Sequence, residues 1–232
     1  MNTYKANEYA EQKNIKQMFY ELYNNFSKII DDDWKLREKE ISKETCICSL
    51  EMISLVFAQC ISADISMVLK LMEHKQPHRY YDGIIRNMCE QVLEYLNLCD
   101  NPNNIKEFLG IDKDDSEIEA IGKMNVFAGI RKLIGDKRYS STHNISNIAN
   151  LLGEHDGTDE KLSLYEVYQY ESTLYHNAYL MEYYDMVSIF AGSEKKDEVS
   201  GEMGVQYIML VTILSSFMDK YEEVMGISSE GI

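Results

Sequence analysis

Apolar residues recur along this chain at intervals of three and four, and no alternation persists beyond four or five residues, so the period predicts helices rather than strands. Ile15, Met18, Phe19, Leu22, Phe26 and Ile29 form one stripe of a first helix, expected over Ala6–Ile30. Asp31-Asp32-Asp33 is expected to end it, because carboxylates at a helix C-terminus oppose the dipole and suit a turn or a following N-terminus better. A second helix, Lys43–Glu73, carries Leu50, Ile53, Phe57, Cys60, Ile61, Val68 and Leu71 on its stripe and stops at Lys75-Gln76-Pro77. The third, His78–Cys99, turns Tyr81, Ile85, Met88, Val92, Leu96 and Cys99 inward and runs into the turn cluster Asn101-Pro102-Asn103-Asn104.

Past that turn, Ser116–Ile134 reads as a helix weakened by Gly122 and Gly129. Ser140-Ser141-Thr142 supplies caps for a short helix, Ile145–Leu152, which Gly153 ends. The acidic loop Glu154–Glu160 leads to a long helix over Ser163–Phe190, and the polar loop Gly192–Gly201 to a last helix reaching Met225. Both prolines, Pro77 and Pro102, fall at breaks, so the helices between them run uninterrupted. The expected fold is all-α, a bundle of about five long helices plus short ones, in one domain spanning 1–232 without internal repeats.

Composition narrows the partners. Acidic residues number 39 against 23 basic ones, a formal charge of −16. Such a field repels nucleic acid at long range, which disfavours RNA as a partner and favours a basic protein. The most basic window, Arg131-Lys132 to Lys137-Arg138, reads as a cationic helix end facing water. The five cysteines, Cys46, Cys48, Cys60, Cys89 and Cys99, include no C-x-x-C pair, and an odd count does not suit a disulfide framework; reduced thiols are expected. The polar start MNTYKANEYAEQKN lacks the apolar core of a leader. The most apolar stretch, Val205–Met218, spans about fourteen residues, too few to cross a bilayer. A cytoplasmic protein with no membrane partner is the expectation.

Candidate chemistry is sparse. The chain holds no G-x-G-x-x-G, no G-x-x-x-x-G-K-[ST], no H-E-x-x-H and no G-x-S-x-G. No histidine follows a glutamate by three residues, which removes the Glu-x-x-His pairs of di-iron bundles. Glu73-His74 with His78 reads as polar residues at a helix end rather than as metal ligands, so neither metal nor cofactor is expected. The long helix near the C-terminus is the informative one: seven of the seventeen tyrosines lie between Tyr165 and Tyr184. Tyr168, Ser172 and His176 follow one another at steps of four and stack along one face. A polar line inside an aromatic stripe needs hydrogen-bond partners if buried, so it is either a structural network or a site. Aromatic clusters also enrich interfaces, and a homodimer covering part of the Tyr165–Tyr184 face is expected. Asp64 lies in the apolar stripe of the second helix, where an acid needs a partner. On the third helix Asp82, Arg86 and Glu90 are spaced by four, the pattern of a surface ion-pair ladder; Arg86 is also the cation available to satisfy Asp64 or to face His176. Arg138 and His143 fit R-x4-H, the spacing of HEPN ribonucleases, inside a segment that also reads as a turn.

Tyr80-Tyr-Asp-Gly-Ile-Ile-Arg86-Asn-Met-Cys-Glu90 through Tyr95-Leu96 resembles the arginine–glutamate helix of a bacterial family, the domain of unknown function numbered 5677, which is distantly HEPN-like. A second shared piece runs from Arg138-Tyr139 through Ile145, Ile148-Ala149 and Leu151-Leu152-Gly153 to Tyr165, Tyr168, Ser172 and His176. Tyr139 stands where that family tends to carry tryptophan. The resemblance implies a HEPN-like helical bundle, a phage-defence or toxin setting, and Arg86, Glu90, Tyr168, Ser172 and His176 as the site. Two functions follow. One is a non-catalytic interaction or sensor subunit whose acidic surface docks a basic partner. The other is a metal-independent endoribonuclease in which His176 (or His143) acts on the 2′-hydroxyl and Arg86 (or Arg138) neutralises the phosphate.

Overall fold

The apolar stripes fold as helices in the computed structural model, which describes residues 15–44, 49–74, 76–77, 79–109, 145–158, 161–190 and 199–227. The elements are α1 (Ile15–Glu44), α2 (Leu50–Glu73), α3 (Arg79–Asp100), a 3-10 turn (Pro102–Asn104) leading into α4 (Ile105–Phe108), α5 (Ile145–Leu152), α6 (Leu164–His176), α7 (Ala178–Phe190) and α8 (Val199–Met225). No strand occurs among the described residues, and the architecture is an all-α bundle. The expected helix over Ser116–Ile134, and the caps at Ser140-Ser141-Thr142, lie outside the described residues.

α3 is the hub. It packs along α6 most extensively, and also against α2, α8 and α5, while α8 closes on α1. Phe217 of α8 sits at the centre of the core, with its ring 4.7 Å from Tyr95, 5.8 Å edge-on to Phe26 and 5.6 Å from Tyr221. Tyr95 is fully buried and satisfies its hydroxyl on Ser54 at 2.9 Å, whose Oγ also bonds the Leu50 carbonyl. A polar tip inside the core is thereby partnered, as burial requires.

Three elements differ from the sequence expectation. α1 does not stop at Asp31-Asp32-Asp33 but runs on to Glu44. No glycine or proline interrupts it, and mid-helix carboxylates do not meet the dipole end; Asp33 accepts a 2.8 Å hydrogen bond from Tyr221. The expected helix over Ser163–Phe190 is two helices broken at Asn177. Asn177 leaves helical geometry (φ −112°, ψ 17°) and spends its side-chain amide on the Thr173 carbonyl at 2.8 Å, a local bond that competes with the helix. α2 begins at Leu50 rather than Lys43, because Lys43 and Glu44 belong to the end of α1, and its Cys60 faces solvent rather than the core.

Helix ends follow ordinary capping chemistry. Ser49 caps α2 through the Met52 amide. Ser163 and Glu166 form a reciprocal capping box on α6, at 3.1 and 3.0 Å. Gly153 ends α5 at φ 72°, with the Glu154 amide reaching back to the Ala149 carbonyl, a conformation glycine adopts without strain. α2 is also long and apolar enough to cross a membrane by length and composition, although the sequence reading placed the most apolar stretch at Val205–Met218. Packing against α3, α8 and α1 accounts for that apolarity, since Leu55, Ala58, Ile61, Ile65 and Val68 have no exposure.

Candidate functional site

Steps of four along α3 place Asp82, Arg86, Glu90 and Glu94 in one line, and α6 lies antiparallel over it. The direction follows from the pairs: Arg86 meets Tyr168 and Ser172, whereas Gly83, nearer the start of α3, lies under the Tyr175 ring, nearer the end of α6. A Cβ at position 83 would come within 3.0 Å of that ring, so glycine permits the close approach of the two helices.

Arg86 ties the two helices together. Its Nε donates to Ser172 Oγ at 2.9 Å, and its Nη2 to both Tyr168 OH at 3.0 Å and Glu90 Oε1 at 2.7 Å. With side-chain exposures of 25% and 28%, the Arg86–Glu90 pair is half-sheltered, where a short charge-assisted bond is worth more than on open surface. Tyr165 stacks on Tyr168, and His155 of the preceding loop stacks on Tyr165 at 4.5 Å, extending the aromatic wall away from the arginine.

The ladder Asp82–Arg86–Glu90 is therefore not the surface feature its spacing suggested. Asp82 is fully buried and faces Glu171 of α6, which is equally buried. Two carboxylates offer only acceptors, so the Glu171 oxygens find no hydrogen bond until one of the pair takes a proton. Burial first, then the charge of Asp82 and the hydrogen bond with it, push the Glu171 carboxyl well above its ordinary value, which keeps that proton in place. Burial also raises Glu94, to about 7, with Glu90 adding to the rise. The neighbouring Cys89 thiol is pushed well up by burial and by Glu171 and Glu90, which makes it an inert packing thiol and no nucleophile.

Of the residues expected at a site, Arg86, Glu90, Tyr168 and Ser172 come together. His176 continues their line one turn past Ser172 but sits exposed at the end of α6, its ring edge-on to Tyr175 at 5.4 Å, with no bond to Arg86 among the described residues. Arg138 and His143 lie outside the described residues, as do His78 and the basic window. Asp64 is satisfied not by Arg86 but by Gln91, at 3.0 Å. No family model matches this chain, and neither a curated protein nor a solved structure matches it. No three His, Cys, Asp or Glu side chains gather as a metal-ligand set among the described residues.

The Asp82–Glu171 pair escaped the sequence reading, although a signal existed. Leu164, Val167 and Glu171 recur at the spacing of one buried stripe, so an acid stood on an apolar face. His155 carried no signal of this kind, because it sits in an acidic loop without periodicity.

Proposed function

We propose that this chain is a HEPN-like, non-catalytic interaction or sensor subunit, in the phage-defence or toxin setting its resemblance implies, with an acidic surface for a basic partner. The observation that carries this reading is the engagement of Arg86. Its charge is matched by Glu90 at 2.7 Å, and its Nε and Nη2 protons are directed at Ser172, Tyr168 and Glu90. At 4 Å and a surface-like dielectric, a phosphate gains about 4 kcal/mol from an arginine and loses about as much to a carboxylate at the same distance. Glu90 thus cancels what Arg86 would offer an RNA backbone, and the net charge of −16 adds repulsion at long range. An arginine in this position fastens α6 to α3.

One observation favours the ribonuclease reading: His176 is exposed on the face that carries Tyr168 and Ser172, within reach of a polymer. The two readings separate on purified protein. Incubation with single-stranded and structured RNA is expected to leave both intact. Arg86→Ala is expected to lower stability by about 1–3 kcal/mol through the polar groups it orphans, and His176→Ala to leave melting unchanged. RNA cleavage by the wild type that both substitutions abolish, without loss of fold, would overturn the proposal.

A further inference from the structure

α7 has one substantial packing contact among the described elements, with its chain neighbour α6. Among the described side chains of α7, those of Tyr179, Leu180, Tyr183, Met186, Val187 and Phe190 are exposed, with Tyr183 61% and Phe190 84% accessible. They are not scattered. Tyr179, Tyr183, Met186 and Phe190 are spaced four, three and four, the a/d pattern of a heptad seam, and Leu180 and Val187 both fall at the adjoining e position. Three positions of the heptad are thus apolar and open to solvent along about three turns.

We propose that this face is the seam of a homodimer, occupied by α7 of a second copy. Area supports that occupant: at roughly 200 Å² per large side chain the exposed fractions amount to about 700 Å² per copy, close to the ~800 Å² each partner contributes to a stable interface. Chemistry supports it too. No a, d or e position carries a charge, so nothing on the seam selects the basic partner suited to the rest of the surface, whereas an uncharged heptad face is complementary to itself about a two-fold axis. An anionic membrane surface fits poorly, since α7 contains Glu182 and Asp185 and no lysine or arginine. The seam differs from the broad tyrosine face expected from sequence: Tyr165 and Tyr168 pack against the core, and the exposed tyrosines, Tyr175, Tyr179 and Tyr183, begin beyond them. The two copies repel through their like net charge, so the seam tightens with salt.

Sedimentation velocity on the full chain at about 1–50 µM, a range that spans ordinary interface affinities, tests the proposal. The expected mass is twice the 27.0 kDa of the chain. The double substitution Tyr179→Asp with Phe190→Asp is expected to weaken association by at least about tenfold, with circular dichroism unchanged because both side chains are exposed. Leu151→Asp, on the equally exposed Leu151 of α5, is expected to leave the dimer intact. Wild type at 27.0 kDa throughout would overturn the proposal, and so would a dimer indifferent to folded seam variants. Should the double variant fail to fold, Met186→Lys alone is read the same way. The result is independent of the functional reading, since RNA cleavage would overturn that one and leave the seam standing.

Discussion

At the scale of single residues, the most consequential feature is a proton. Glu171 binds it in the folded chain and releases it in the unfolded one at any pH above its ordinary 4.5, because burial and Asp82 raise the folded value. The folded state therefore holds more protons than the unfolded state across that window, and stability falls as pH rises, by up to about 1.4 kcal/mol per pH unit for each unmatched proton. Glu94 acts in the same direction between 4.5 and about 7. Its contribution is complete below pH 4.5 and gone above 7. Glu171→Gln removes the larger effect: an amide fills the same volume, donates to Asp82 and never ionises. The variant is expected to melt above wild type at pH 8, the gap closing as pH falls toward 5. Thermal melts at half-unit pH steps measure this directly, and a constant gap would show that the pair shares no proton.

At the scale of elements, α6 depends on its first turn, since its far end breaks at Asn177 and α7 lends it little support. Ser163→Ala deletes half of the capping box and is expected to cost about 1 kcal/mol, or roughly 2–4 °C in a chain of this size. Because α6 carries Tyr168 and Ser172, native-state hydrogen exchange should quicken across α6 before it quickens in α8. The same helix shows what was legible in the sequence. The end of α5 at Gly153, the period of α3 and the alignment of Tyr168 with Ser172 all follow from local rules of spacing and capping, which act within a turn or two. The meeting of Arg86 with Ser172 was signalled only as a polar line in want of partners; which cation supplied them depended on tertiary packing. The break at Asn177 lay beyond reach because no glycine or proline announces it, and one side-chain bond to Thr173 decides it. The run through Asp31-Asp32-Asp33 went the other way: a local charge argument pointed to a stop, and an uninterrupted helix with a tertiary bond to Asp33 prevailed. Asp82 was misplaced on the surface because spacing cannot tell a ladder that faces water from one that α6 covers.

At the scale of the whole molecule, two kinds of acid destabilise the fold, and salt distinguishes them. The 39 acidic residues outnumber the basic ones by sixteen, and their repulsion acts largely through solvent, where about 0.1 M salt screens beyond ~10 Å. The Asp82–Glu171 pair is sealed between α3 and α6 and lies outside that screening. At pH 8, raising sodium chloride from about 0.05 to 0.5 M should therefore raise the melting temperature of wild type and of Glu171→Gln by the same amount, leaving the gap between them unchanged. Lowering the pH from 8 to 6 should do the opposite: it closes part of the gap by relieving the buried acid, which the substituted chain lacks. All melts need one protein concentration, because self-association makes the midpoint concentration-dependent. A gap that shrinks with salt would mean that water and ions reach Glu171, and the buried acid pair between α3 and α6 would have to be abandoned. A gap that ignores salt and answers to pH places the cost of those carboxyls inside the helix interface, where Arg86 and its hydroxyl partners hold the same two helices together.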